Sequence, residues 1–316
     1  MDLKSILSEW KIQESIGENT PFLEYKHVPF LEVFGRDNMG FVTSVDVIKE
    51  SRTGERARVY KMNEKCVFYP TDLRGIETKL VFAEEFDLDK VDIFSREDLI
   101  EIYNHLELLQ RKGDIGLIVN SKKSALYEDK LSFIEFREKG FPMINTYHFD
   151  SFSELERFLG GRDGNFLLKH RFGLDGRMIY RGDKNYLLSL KDIPIDKYIL
   201  QPELKIASEK RMIFFGDDLI ASRIILDRTR PWETKGERRH ETLSYRPTKK
   251  EKDLARRFFK YVDGTVGCVD TIQLYDGREY ILEFNGTATG YGSSDGYVYD
   301  CNGEVAERLR DMIHHG

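Results

Sequence analysis

No apolar run in the 316-residue chain approaches the ~20 residues needed to cross a bilayer, so no membrane-spanning helix is expected. It opens on MDLKSILSEWKIQESIGE, acidic and amphipathic, without the apolar core or small-residue cleavage site of a secretory signal. A cytoplasmic protein is therefore predicted. Cysteine is scarce: Cys66, Cys268 and Cys301 stand far apart with no CxxC, against a disulfide framework or a zinc site. Positive charge is not in excess, with 49 Lys+Arg against 55 Asp+Glu and a net charge of −6, so no global basic field invites nucleic acid. Internal repeats, low-complexity segments, a GxxxxGK[ST] phosphate loop and a nucleophile–His–acid motif are all absent. What is present is a well-charged globule, 40% hydrophobic and 33% charged, large enough for one big domain or about two to three medium ones. An enzyme or a binding protein fits this composition.

The first 113 residues read as a mixed unit. Strands are expected at Phe41–Lys49, Ala57–Lys61 and Lys65–Tyr69. Ser95 then resembles a helix cap, and Leu99, Ile102, Tyr103, Leu106 and Leu109 recur at helical spacing up to Gly113. Ile115–Val119 is a short apolar strand ending at Asn120. A helix over Asp129–Lys139, a break at Gly140-Phe-Pro142, a strand near Met143–Tyr147 and a capped helix Ser151–Phe158 follow. Three hairpins come next: Phe166–Lys169 with Arg177–Arg181, Arg211–Phe215 with Leu219–Leu226, and Gly267–Tyr275 with Glu279–Phe284. Thr248-x-x-Glu251 is a capping box opening a helix to Tyr261, and Glu304–Ile313 is a final amphipathic helix. The pattern is α+β, with some parallel α/β near Ile115.

The third hairpin carries the sharpest chemical signal. With Asp276-Gly277 as a two-residue turn, Asp270 falls directly opposite Glu283, and Asn285 lies on the same face. Leu282 and Phe284 would point to the other face, into a core. Opposed carboxylates repel, so the pair needs a cation or one proton. Two carboxylates and an amide oxygen suit Mg²⁺ carrying nucleotide phosphates. A solvated sheet face neutralised by nearby Lys or Arg fits the geometry equally well.

Several basic residues could face an anion. Lys169 ends a strand before HRFGLDGR, whose Gly173 and Gly176 sit in a strand-to-strand loop. Such glycines let backbone N–H groups approach a phosphate, although most glycine hairpins are only turns. Lys130 near a helix start is ordinarily a solvated side chain. Arg211 and Arg223 lie on strands among apolar neighbours, as structural ion pairs or as clamps on phosphate or carboxylate. Asp227–Arg246 holds six Lys/Arg and reads as a lid over an anionic substrate or as a solvated loop.

Taken in order, these pieces resemble the ATP-grasp superfamily, glutathione synthetase and ribosomal-protein glutamate ligases above all. The likeness runs from Gly113 to Ile313, through LIVNSKKSALYEDKLSFIEFREKGFPMINTY, FLLKHRFGLDGR, YILQPELKIASEKRMIFFGDDLIASRI, ETKGE and VGCVDTIQLYDGREYILEFNG. It implies two α+β subdomains clasping ATP: a small subdomain over 143–203 and a metal-binding subdomain over 204–316, within an ATP-grasp domain of 114–316. A divergent domain over 1–113 precedes them. It further implies Lys130 and Lys169 on ATP phosphates beside Gly173 and Gly176. Gln201, Glu203 and Leu204 would lie at adenine and Glu209 at ribose. Arg211 and Arg223 would contact the γ-phosphate and acyl-phosphate, with Lys235 and Gly236 in a closing loop. Asp270, Glu283 and Asn285 would hold two Mg²⁺, with Mn²⁺ as a substitute.

The implied activity is an ATP-dependent carboxylate–amine ligase that makes an amide or peptide bond through an acyl-phosphate and releases ADP and phosphate. Its substrates would be small-molecule or peptide acids and amines, with no nucleic-acid or membrane partner and with homo-oligomers allowed. A small-molecule kinase on the same fold and a non-catalytic nucleotide-binding protein are the alternatives. The chain departs from the family pattern where Glu237 follows Lys235-Gly236 in place of an asparagine, and in the glycine-rich Gly286–Gly292 segment. Both departures bear on the substrate.

Overall fold

The computed structural model describes residues 67–68, 96–112, 117–172, 179–226, 241–286 and 304–312. They divide into two compact units, one holding 67–68, 101–112, 117–119 and 304–312, the other 96–100, 120–172, 179–226 and 241–286. No described helix is long and apolar enough to cross a membrane.

In the first unit, β1 (Val67–Phe68) pairs in parallel with β2 (Leu117–Ile118), the parallel element expected near Ile115. Helix α1 (Arg96–Arg111), which belongs to that unit from Glu101 onward, buries the whole stripe of Leu99, Ile102, Tyr103, Leu106 and Leu109. The other sequence-predicted strands of the first 95 residues, and Ser95 itself, lie outside the described residues.

The second unit contains two antiparallel sheets. The four-stranded sheet is ordered β3 (Tyr147–His148), β6 (Tyr198–Pro202), β4 (Phe166–His170), β5 (Ile179–Gly182). Two capped helices accompany it, α4 (Phe152–Gly160) and α5 (Lys184–Ser189), with Ser151 and Asp183 accepting from the backbone three residues on. Phe166, Leu168, Tyr198 and Leu200 pack with Leu155, Leu159 and Leu187. Alternation along the strands therefore sends Leu167, Lys169 and Gln201 to the opposite face.

The five-stranded sheet is ordered β11 (Glu279–Asn285), β10 (Val266–Leu274), β7 (Ile206–Phe215), β8 (Asp218–Leu226), β9 (Glu241–Ser244). Helix α6 (Lys249–Tyr261) starts on the anticipated capping box: Thr248 Oγ1 accepts from Glu251 N–H at 3.3 Å and Glu251 Oε2 from Thr248 N–H at 2.6 Å. Its Ala255, Phe258 and Phe259 pack on Met212, Phe214, Val269 and Phe284, together with Phe133 and Phe136 of α3 (Ser132–Glu138). At about 1.5–3 kcal/mol per buried phenylalanine, this face drives the docking of α6. Arg211, Asp270 and Cys268 alternate with those core residues and face away from α6.

Several expectations need correction. The third hairpin turns through three residues, Tyr275-Asp276-Gly277, closed by Leu274 N–H to Arg278 O at 2.9 Å, with Gly277 at φ +85°. Thr271 consequently pairs with Ile281, and a bulge inserts Leu282 before Asp270 meets Glu283. Because the bulge reverses the alternation, Leu282 packs with Ile272 and Leu274, while Ile281 and Phe284 share the α6 core. The helix placed at Asp129–Lys139 is shorter, and the brief α2 (Lys122–Leu126) was not foreseen. The end of the polar 227–246 segment is strand β9, paired with β8.

Candidate functional site

Register aligns four charged side chains in a row across the five-stranded sheet: Arg223 on β8, Arg211 on β7, Asp270 on β10 and Glu283 on β11. Arg223, Arg211 and Asp270 are 2%, 1% and 0% exposed, which excludes a solvated sheet face. Arg211 grips Asp270 with both arms, Nε to Oδ1 at 2.6 Å and Nη2 to Oδ2. Burial works against the guanidinium charge, but the adjoining Asp270 carboxylate more than offsets it, and the Arg211 pKa rises. The ion-pair alternative for Arg211 is thus present in the fold. Asn285 Nδ2 donates to Asp270 Oδ2 at 3.2 Å and Glu283 Oε1 at 3.1 Å, bridging the two acids that would otherwise repel.

The four-stranded sheet supplies Lys169. It is 9% exposed, and burial lowers its pKa against the opposing fields of Glu283 and Glu209. Glu209 shares the Arg211 face of β7, two residues earlier. The three cations and three carboxylates so gathered cancel in formal charge. Such a set has little pull on a bare divalent ion. It fits one that arrives with phosphates, because Mg²⁺ commonly takes one or two carboxylates and completes its shell with phosphate and water. Among the described residues no three His, Cys, Asp or Glu come together as a metal group. Cys268, opposite Asn285 in register, has its thiol pKa pushed up by burial and remains protonated.

A second cluster forms where α2 gives way to α3. Asp129, fully buried, accepts from Arg171 Nε at 3.1 Å and Nη2 at 2.6 Å, and from Leu131 N–H at 3.0 Å. Lys130 N–H donates to Arg171 O at 3.1 Å, placing Lys130 beside the end of β4. His170 accepts at Nδ1 from Phe172 N–H at 3.2 Å. Burial, followed by the charges of Lys130, Lys197 and Arg171, pushes its pKa down to about 4, so the ring is neutral at pH 7. Cations thus converge just before Gly173 and Gly176, which lie outside the described residues, as do Lys235 and Gly236.

Gln201 is 1% exposed and donates to Thr146 Oγ1 at 2.9 Å. Its Oε1, and Glu203 Oε2, are buried without a hydrogen-bond partner among the described residues. Buried acceptors left unmade are costly, so each favours a donor. Glu203 Oε1 accepts from Arg181 at 2.7 Å, and Leu204 packs against Ile144, Ile272 and Leu274.

Sequence reasoning missed Asp129 and Arg171, although Asp129 adjoins the lysine it did select. It also missed Lys210, buried under α6, which donates to Glu251 and, at 2.8 Å, to Glu279. Both Glu251 oxygens also accept from Tyr245 OH at 2.7 Å. The only signal for Lys210 was a lysine next to Arg211 in a strand.

No family model and no curated protein matches the chain. Solved structures do. The ATP-grasp ligase PsnB complexed with minimal precursor, Mg and ADP is similar at TM-score 0.51 and 18% identity, over 69% of this chain and 71% of that one. The Chryseobacterium gregarium RiPP-associated ATP-grasp ligase, in complex with ADP and a leader and core peptide, gives 0.52 and 16%, over 68% and 69%. D-alanyl-alanine synthetase A from Vibrio cholerae gives 0.52 and 14%, over 68% and 71%.

Proposed function

We propose, starting from the ATP-grasp fold that these likenesses establish, that the chain is an ATP-dependent carboxylate–amine ligase. The observation that supports this reading best is the row Arg223–Arg211–Asp270–Glu283, buried at its first three members, capped by Asn285 and faced by Lys169. In the proposal, residues 114–316 form the catalytic domain. Lys130 and Lys169 neutralise the ATP phosphates, joined by backbone N–H groups at Gly173 and Gly176. Gln201, Glu203 and Leu204 take the adenine, whose amine would meet the two unsatisfied acceptors, and Glu209 takes the ribose. Asp270, Glu283 and Asn285 hold Mg²⁺, which when bound supplies charge neutralisation for the transferred phosphoryl group.

A substrate carboxylate oxygen attacks the γ-phosphorus, forming an acyl-phosphate as ADP leaves. An amine then attacks the carbonyl carbon, and phosphate departs with that oxygen as the amide forms. The chain need not supply a nucleophile, and Cys268 is a buried thiol. Its own residues position and stabilise charge. Arg211 and Arg223, abreast and buried, present positive charge to the acyl-phosphate, and Arg211 also orients Asp270. Lys235 and Gly236 belong to the closing segment.

The test is a matrix of amino acids, dipeptides and other acids with ATP, read as ADP, phosphate and product mass. Phosphate release that requires both an acid and an amine supports the ligase. A stable phosphorylated product with no amide would replace it with the kinase reading.

A further inference from the structure

Two residues outside the charged row reach Gly286, the residue that follows Asn285. Glu128 Oε1 accepts from Gly286 N–H at 3.0 Å, and Asn120 Nδ2 donates to Gly286 O at 2.6 Å. The same Asn120 amide donates to Val266 O at 2.8 Å, and its Oδ1 accepts from Thr265 N–H at 2.8 Å and Val266 N–H at 3.0 Å. One buried side chain thereby ties the start of β10 to the residue just past β11. Asn120 does so at φ +63°, a left-handed conformation that asparagine tolerates better than most residues. Gly286 is enclosed: a Cβ there would lie 2.9 Å from Glu128 Oε1 and 3.2 Å from Asn120 Nδ2.

Strand capping alone would not call for a carboxylate at 128, which adjoins Asp129 and Lys130. Glu128 holds the end of β11, Asp129 holds Arg171 at the end of β4, and the Lys130 N–H donates to Arg171 O. Three consecutive residues thus tie the candidate cation strand to the candidate phosphate lysines. Asn285 is where this matters. Its Nδ2 bridges Asp270 and Glu283, and turning Oδ1 toward a cation requires the amide to rotate about a Cα that stays in place. Gly286, held at both its N–H and its C=O, keeps the adjoining Asn285 Cα fixed.

We propose that Glu128 and Asn120 are positioning residues that fix Gly286, the residue after Asn285, and with it the reach of Asn285 and Glu283 toward a nucleotide-bound divalent cation. The proposal rests on the cation role given above to Asp270, Glu283 and Asn285. Calorimetry of ADP binding, in Mg²⁺ and in EDTA, measures the affinity increment due to the cation. Glu128→Ala lowers that increment by about 10- to 100-fold, the usual effect of removing an outer-shell partner, and leaves the EDTA affinity close to the parent value. Glu128→Gln keeps an acceptor for Gly286 N–H and restores most of the increment. If Glu128→Ala fails to fold, Asn120→Asp serves instead; it retains the acceptor for Thr265 and Val266, loses the donor to Gly286, and lowers the increment in the same way.

A parental increment in Glu128→Ala, an equal fall in EDTA, or a Glu128→Gln variant as poor as the alanine overturns the proposal. Glu283→Ala separates the two layers. If it loses the increment, the cation reading stands and the Glu128 result judges positioning alone. If it keeps the increment, both readings fall.

Discussion

Replacing Asp270 by asparagine changes one oxygen to nitrogen at a site with no solvent access. Arg211, 1% exposed, then keeps its charge without the carboxylate that both its arms grip. Removing one partner of a buried pair costs about 3–5 kcal/mol, because the remaining charge is neither paired nor hydrated. For a unit of this size each kcal/mol moves the midpoint by about 2–4 °C, so Asp270→Asn should melt roughly 6–20 °C below the parent. The double variant Arg211→Met/Asp270→Leu removes both charges and should recover at least half of that loss. Thermal unfolding by circular dichroism reads the stability, and ADP calorimetry in Mg²⁺ reads the site. Both variants should lose the Mg²⁺ increment, although only the single is strongly destabilised. An Asp270→Asn midpoint within about 2 °C of the parent, or a double variant no more stable than the single, would refute the ion pair as the anchor of the row.

Lys169→Ala should weaken ADP binding at least about tenfold, since it removes a buried ammonium beside Glu283 and Glu209 from the proposed phosphate site; unchanged calorimetric affinity would count against that placement. His170 has a folded pKa of about 4, below its unfolded value, so the unfolded chain binds the extra proton first. Stability from this residue is complete above about pH 6.5 and declines by up to ~3 kcal/mol as pH falls to 4. His170→Gln should flatten that part of the midpoint-against-pH curve, and a parental slope would dismiss the assignment. Gly267→Ala places a Cβ 2.6 Å from Asn285 O and 3.1 Å from Gly286 Cα, backbone that cannot yield. It should cost about 1–3 kcal/mol and reduce the Mg²⁺ increment, as read by unfolding and calorimetry together.

The facing of Asp270 and Glu283 was legible in the sequence, although through two errors that cancel. The Asp276-Gly277 turn is one residue longer than expected, and the Leu282 bulge restores the pairing. Turn type depends on local residues, whereas a bulge depends on how Ile281 and Phe284 pack beneath α6, which no local pattern reveals. The α6 capping box was legible to the residue, because its hydrogen bonds span three positions. The alignment of Arg223 and Arg211 with the acids required the register of three strand pairs. Asn120 looked like a turn residue at the end of a strand. Its partners lie 145 to 166 positions away, beyond any local signal.

The central claim, amide formation through an acyl-phosphate, is tested most directly by isotope transfer. With an acid and amine that together release phosphate, the acid is labelled with ¹⁸O in its carboxylate and the phosphate is weighed by mass spectrometry. Each phosphate released should hold one ¹⁸O, carried by the oxygen that attacked ATP. Phosphate free of label would contradict it.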